Sequence, residues 1–242
     1  MTPERDRGLA WWRTHARERL LERIHAVIAW YLPFAARRAL RLDLAGVWGI
    51  RESPLPAAGA VVVANHHSWW DGYLAWLLAD YHDRAFGVLV DEATLLRYPF
   101  FARLGALPTK ALRAAVRRAE RGSWLFVFPE GRIVPPGPPA PFEPGAATIS
   151  RLASVPVLPL AWRVVVRGAQ YPEVYVRSGA PLPSGATPEV QCAAVGALLE
   201  RIGRDLAGAT DPEAPVPEYT LWNPGRASSQ ERVGRWRRWW GA

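Results

Sequence analysis

From residue 58 onward, short apolar runs alternate with stretches of helical character, and this alternation constrains the fold more than any other feature. The runs fall at Ala60–Ala64, Phe86–Val90, Trp124–Phe128, Val155–Val166 and Val174–Arg177, rich in Val, Leu and aromatic residues. Between them lie Gly72–Tyr81, Ala93–Leu104, Ala111–Arg121 and Pro144–Ala153, where helix formers dominate. Strands that are apolar along nearly their whole length are buried on both faces. Strands separated by helices can pair in parallel, because that connection needs a crossover of a dozen or more residues. The pattern predicts an α/β fold with a largely parallel central sheet and helices on both faces.

The flanks read differently. Residues Leu9–Leu42 are expected to be an amphipathic helical pair bent at Pro33, with Trp11, Trp12, Ile24, Val27 and Trp30 opposed by Arg13, Arg17, Arg23 and Arg38. Two readings stay open: a helical layer over the sheet, or helices lying in the plane of a membrane, where Trp and Arg suit the headgroup boundary. Another helix should open at Thr187 as N-cap with Pro188 behind it, and Val195, Leu198, Leu199, Ile202 and Leu206 form its core stripe. Ile133–Pro144, with six prolines and one glycine, is a stiff loop, and Asp211–Arg226 is also loop by composition. Ser228-Ser229-Gln230-Glu231 fits a capping box opening a last helix, Glu231–Trp240, that carries Arg232, Arg235, Arg237, Arg238 and three Trp. The expected division is 1–50 helical and membrane-facing, 51–210 the α/β domain, and 211–242 a proline-rich linker with a basic tail.

Composition narrows the partners. Of 242 residues, 50% are hydrophobic and 21% charged, which excludes wholesale disorder. The balance of 30 Lys+Arg against 22 Asp+Glu gives +8, drawing the chain toward phosphate in nucleic acid, anionic lipid or substrate. Thirteen Trp favour a membrane–water boundary or a protein interface. Nucleic-acid binding is not expected, since no basic stripe with a reading element is present. Cys192 is the only cysteine, so no internal disulfide or Cys-rich metal site can form, and the five His show no ligand spacing. No targeting signal is evident. The longest uncharged stretch near the amino terminus, Ile24–Ala36, is shorter than the roughly 20 residues of a spanning helix. A peripheral position on a membrane is the expectation.

The chemistry concentrates in Val61-Val62-Val63-Ala64-Asn65-His66-His67-Ser68-Trp69-Trp70-Asp71. A buried strand ends at Ala64 and a polar cluster follows at its carboxyl end, where open α/β sheets bind ligands. A turn into the next helix can bring Asp71 to Nδ1 of His66, leaving Nε2 to take a proton from an alcohol. By itself the spacing is weak and is more often that of a structural His–Asp bond.

The company it keeps is more specific. Asn65-His66 with Asp71, then Phe128-Pro129-Glu130-Gly131-Arg132, then Phe142 with Gly145, then Val155-Pro156-Val157-Leu158-Pro159-Leu160, form an ordered series over Ala58–Trp162. In these blocks the chain resembles the glycerolipid acyltransferases, the lysophospholipid acyltransferases of 1-acylglycerol-3-phosphate type. The resemblance implies His66 as general base and Asp71 as its orienting partner. It implies a lysophospholipid acceptor and acyl-CoA or acyl-carrier protein as co-substrate, with no further cofactor and no metal. It places Asn65, Lys110, Pro129, Glu130, Gly131 and Arg132 at the substrates, with Arg132 facing the acceptor phosphate. His67, one residue short of the spacing, is not the expected base. Trp69 and Trp70 either border the acyl path or simply pack at a helix start.

Two departures touch the acceptor. Arg132 follows Gly131 immediately, without the small hydroxyl residue usual in that block, and only Lys110 stands where the family has an arginine. Transfer to another lipid or glycolipid hydroxyl, hydrolysis of the thioester, and a non-catalytic lipid-binding role are the alternatives. The implied location is the cytoplasmic face of the cell membrane.

Overall fold

Strand β2 (Ala60–Ala64) sets the architecture, because all five of its residues are buried. Val61 and Val63 join one core cluster and Ala60, Val62 and Ala64 the other, as the two-residue period of a strand requires. A strand apolar on both sides needs cover on both sides. In the computed structural model, residues 15–28, 30–31, 34–35, 38 and 43–239 are described, the side chains of 235–239 excepted. The expected bend at Pro33, and Trp11, Trp12 and Trp240, lie outside them.

The described elements begin with helix α1 (residues 15–28), then β1 (Gly46–Arg51), β2, α2 (Asp71–Tyr81), β3 (Phe86–Val90) and α3 (Glu92–Arg97). A 3-10 turn (Pro99–Leu104), β4 (Ala106–Pro108), α4 (Leu112–Glu120) and β5 (Trp124–Val127) follow. The remainder is α5 (Gly145–Ala153), β6 (Val157–Val165), β7 (Glu173–Ser178), α6 (Pro188–Gly208), β8 (Thr220–Pro224) and α7 (Ser229–Trp239). One eight-stranded sheet results, in the order β4-β3-β5-β2-β6-β7-β1-β8. β4 through β6 run parallel, β7 returns antiparallel to β6, β1 is parallel to β7, and β8 is antiparallel at the edge.

Helices cover both faces. α2 places Leu74, Ala75 and Leu78 against Val62, Phe126 and Trp162. On the other face α4, α5 and α6 bring Ala115, Ile149, Val195, Leu198, Leu199 and Ile202 onto Val61, Val63 and Leu125, with Leu206 partly buried at the end of the expected stripe. The connection from β2 leaves over one face through α2, and that from β5 leaves over the other through α5. Neighbouring strands whose connections part in this way leave a crevice between their carboxyl ends.

Some expectations are corrected. The helix expected over Ala93–Leu104 is two pieces, because Pro99 disfavours a helical conformation at Tyr98 (φ −130°, ψ 71°). Asp211–Arg226 is not all loop: Thr220–Pro224 is β8. Since β1 and β8 belong to the sheet, divisions at 50/51 and 210/211 cut through it. β1 was hidden by its glycines, and Gly49 is required because a Cβ there would sit 2.3 Å from the Trp222 ring. α7 begins at Ser229, two residues ahead of expectation, and its capping box is formed: Ser228 N–H donates to Glu231 Oε2 (2.7 Å) and Glu231 N–H to Ser228 Oγ (3.1 Å).

The topology also places the ends of the sheet-forming chain. β6 is parallel to β2, so β7 starts, β1 starts and β8 ends at the edge to which β2 points. Gly225 N–H bonds Ala45 O (3.1 Å) and Arg226 N–H bonds Leu44 O (2.8 Å) there. The segment before β1 and helix α7 therefore root side by side at the carboxyl end of the parallel strands. Leu20, Leu21, Ile24 and Val27 of α1, with Trp30, Tyr31 and Phe34, are exposed and do not form a layer over the sheet.

His82, capping α2, packs among Tyr81, Trp124 and Trp222. Burial, aided by the charges of Arg51 and Arg84, pushes its pKa down from 6.5 to about 4. The unfolded chain thus takes up this proton first. Stability from neutral His82 is complete above pH 6.5 and is lost as pH falls toward 4. Urea midpoints of the parent should drop across that window, and His82→Phe should flatten the drop; an unchanged slope would show that other groups govern it.

Candidate active site

The crevice between β2 and β5 is built from loops that are buried and internally bonded. Asn65, the first residue beyond β2, is wholly buried, and its side chain continues the β2–β6 ladder. Its amide donates to the Trp162 carbonyl (3.1 Å), and its Oδ1 accepts the Trp162 N–H (3.0 Å). His66 follows, with its ring stacked on Phe128 at 4.6 Å. Its Nδ1 lies 2.7 Å from Asp71 Oδ2, which assigns the proton to Nδ1 and leaves Nε2 as the basic nitrogen.

Asp71 is fully buried in the first turn of α2, where a negative charge meets the positive end of the helix dipole. Every lone-pair direction of its carboxylate is engaged. Oδ2 accepts His66 Nδ1–H and Ser68 N–H (2.9 Å), and Oδ1 accepts Ser68 Oγ–H and Trp162 Nε1–H (2.8 Å). A charge in that position is tolerable only with such a donor set.

Glu130 ties the loops together. It accepts His66 N–H on Oε1 (2.9 Å) and Ala140 N–H on Oε2 (3.2 Å), and burial pushes its carboxyl above the usual range. The proline-rich segment 133–144 is pinned over the 65–71 turn by three more bonds. Val134 N–H reaches His66 O (2.8 Å), Glu143 N–H reaches Pro129 O (2.9 Å), and Arg163 donates to Gly137 O (3.2 Å). His67 is buried beside this segment, its Nε2 3.9 Å from Glu130, too far for a hydrogen bond. Burial and then the Arg163 charge lower its pKa. His66 lines a cavity of about 870 Å³ with apolar walls from Tyr73, Trp76, Val88, Phe101 and Leu104.

Residues 50–163 match the family described as Acyltransferase. The chain is 29% identical over 136 residues to the 1-acyl-sn-glycerol-3-phosphate acyltransferase of Pseudomonas aeruginosa, covering 50% of this chain and 49% of that protein. It is 29% identical over 150 residues to the N-acylphosphatidylethanolamine synthase of Arabidopsis thaliana, covering 54% and 52%. It spans about half the length of these curated relatives. In fold it is similar to the crystal structure of the 1-acyl-sn-glycerophosphate acyltransferase of Thermotoga maritima, with a TM-score of 0.51 and 22% identity over 83% of this chain and 89% of that one.

The expected site residues divide. His66 and Asp71 meet as expected, and His66, Pro129, Gly131 and Lys110 line the cavity. Asn65 and Glu130 do not: they are buried and spend their polar atoms on backbone groups, so they shape the site from behind. Arg132 is exposed and outside the cavity lining, because Gly131 at φ 68° turns the chain away there. Trp69 is 64% exposed and lies tilted against Tyr73 (5.0 Å, 40°), while Trp70 packs against the core. Ser68 and Trp162 were not foreseen as members of the site. Ser68, three residues before Asp71, carried a signal as a local cap; Trp162, 91 positions away, carried none. Among the described residues no group of His, Cys, Asp or Glu is placed to hold a metal.

Glu130→Ala would leave two backbone donors unpaired and should cost about 2–4 kcal/mol. Arg132→Ala, at an exposed position, should stay within about 0.5 kcal/mol. Urea unfolding of the two variants checks the contrast, and equal losses would contradict the division drawn here.

Proposed function

We propose that the protein moves a long-chain acyl group from a thioester, acyl-CoA or acyl-carrier protein, to the hydroxyl of a lysophospholipid. The first candidate acceptor is 1-acylglycerol-3-phosphate, giving phosphatidate. The observation that carries the reading is a His66–Asp71 pair at the wall of a large apolar cavity. Nε2 of His66 takes the proton of the acceptor hydroxyl as its oxygen attacks the thioester carbonyl. The tetrahedral intermediate collapses, the C–S bond breaks, and the leaving thiolate takes the proton back from the imidazolium. Asp71 holds the ring and stabilises its charged form. The acceptor oxygen is the nucleophile, so no acyl-enzyme is required.

One observation favours a different lipid acceptor. Beside Lys110, the residues that line the cavity include two acidic ones, Asp91 and Glu143. Lys110 follows β4, three strands from β2, or about 14 Å at the usual strand spacing. A phosphomonoester next to the reacting hydroxyl would meet little positive charge, whereas an amine-bearing or neutral headgroup would be accommodated. The relative that is an N-acylphosphatidylethanolamine synthase fits an aminophospholipid in this role.

Purified protein given long-chain acyl-CoA or acyl-carrier protein, with lysophosphatidate, lysophosphatidylethanolamine or no acceptor, separates these readings. Acceptor-dependent thiol release with diacyl product is expected, and His66→Ala should lower it at least 10³-fold. Release without acceptor would mean hydrolysis, and none at all would mean a binding protein.

We further propose that the chain works on the cytoplasmic face of an anionic membrane. Among the described residues no helix is long and apolar enough to cross a bilayer. Support comes from the two Trp- and Arg-rich terminal segments, whose roots share the His66 end of the sheet. Each basic residue near an anionic surface contributes about 1 kcal/mol. Deleting residues 228–242 should weaken binding to anionic liposomes at least tenfold and lower turnover on detergent-dispersed substrate far less. Equal liposome binding by both forms would remove the tail from the membrane role.

A further inference from the structure

The seven residues from Asn65 to Asp71 carry the reactive pair, and both ends of that arch are held by one residue of another strand. Trp162 lies on β6, 97 positions from Asn65 and 91 from Asp71, and is completely buried. Its peptide N–H and C=O are both taken by the Asn65 side chain, which fixes the start of the arch. Its indole N–H donates to Asp71 Oδ1 (2.8 Å), which fixes the end.

The other donors to Asp71 come from inside the arch. His66 and Ser68 belong to the same loop as Asp71, whereas Trp162 belongs to the sheet. The Trp162 indole links the carboxylate to the sheet. The same ring also reaches His66 by a second route. It packs edge-on against Phe128 (6.0 Å, 79°), and Phe128 stacks on the His66 imidazole (4.6 Å, 24°). His66, Asp71, Trp162 and Phe128 thus form a closed circuit of contacts around the imidazole.

We infer that Trp162 is a positioning residue of the acyl transfer: its buried indole N–H fixes the Asp71 carboxylate and, through it, the orientation of His66. The inference rests on acyl transfer as the reaction, which turnover by the parent protein tests separately. Without the N–H, Oδ1 keeps only the Ser68 hydroxyl, and the carboxylate can rotate away from the line that holds Nδ1. Trp162 is not among the residues that line the cavity, so binding of acyl donor and acceptor should be unaffected. The signature is therefore a loss in kcat at constant KM.

Trp162→Phe keeps an aromatic ring against Phe128 and removes the donor. It should lower kcat 10- to 100-fold, with KM for donor and acceptor within twofold. Because the action runs through Asp71, the same substitution made on Asp71→Asn should cost less than threefold more. Additive losses of the two changes would show an independent structural role and overturn the inference, as would parental kcat in Trp162→Phe. Should that variant fail to fold, benzothienylalanine at position 162 replaces the indole N–H by sulfur with the bicyclic shape kept. A folded protein of that kind with unchanged kcat also overturns it, and the same 10- to 100-fold loss sustains it.

Discussion

A carboxylate with no exposed surface is the constraint around which this site is organised. Left without partners, ionised Asp71 would cost several kcal/mol to bury. Its donors are the His66 imidazole, the Ser68 hydroxyl and peptide N–H, and the Trp162 indole, and each of these three residues fixes a different piece of the structure. The imidazole is held in one tautomer, Ser68 closes the turn into α2, and Trp162 binds that turn to β6. Meeting the solvation needs of one buried charge therefore also fixes the orientation of the His66 ring. Glu130 does for the back of the loop what Asp71 does for the front, with its carboxylate bonded to the His66 and Ala140 N–H groups.

The crevice itself follows from connectivity. α2 and α5 leave adjacent strands over opposite faces of the sheet, and a gap between the carboxyl ends of β2 and β5 is the consequence. His66 and the Phe128–Gly131 turn occupy the two sides of that gap. The same topology brings the roots of both terminal segments to the end of the sheet that carries His66, since β1 starts and β8 ends there. A lipid acceptor drawn from a bilayer would enter from this side, and the exposed apolar residues of α1 are carried on the segment that leads into it.

Much of this was legible in order of residues. Val61-Val62-Val63 announced a strand buried on both faces, and β2, β3, β5, β6 and β7 lie close to their expected places. His66 and Asp71 were legible because they are close in sequence and follow such a strand, so local turn geometry brings them together. β1, β4 and β8 were not, because Gly, Pro and short length remove the apolar signature and only pairing with a neighbour makes them strands. Asn65, Glu130 and Arg132 were read as substrate contacts from their position in a motif. Whether a side chain faces a cavity or a neighbouring backbone depends on how separate loops pack, which no local pattern records.

The linear sequence determined what depends on near neighbours: the parallel α/β pattern, the capping box of α7, the stripe of α6 and the spacing of the His66–Asp71 pair. These features rest on periodicity, capping and turn lengths, all interactions within a few residues. Tertiary structure alone decided that an indole 91 residues away completes the Asp71 shell, that Arg132 stays outside the cavity, and that the two terminal segments share one end of the sheet. Each of those outcomes depends on strand order and loop packing, because contacts between distant segments exist only after the sheet has brought them together.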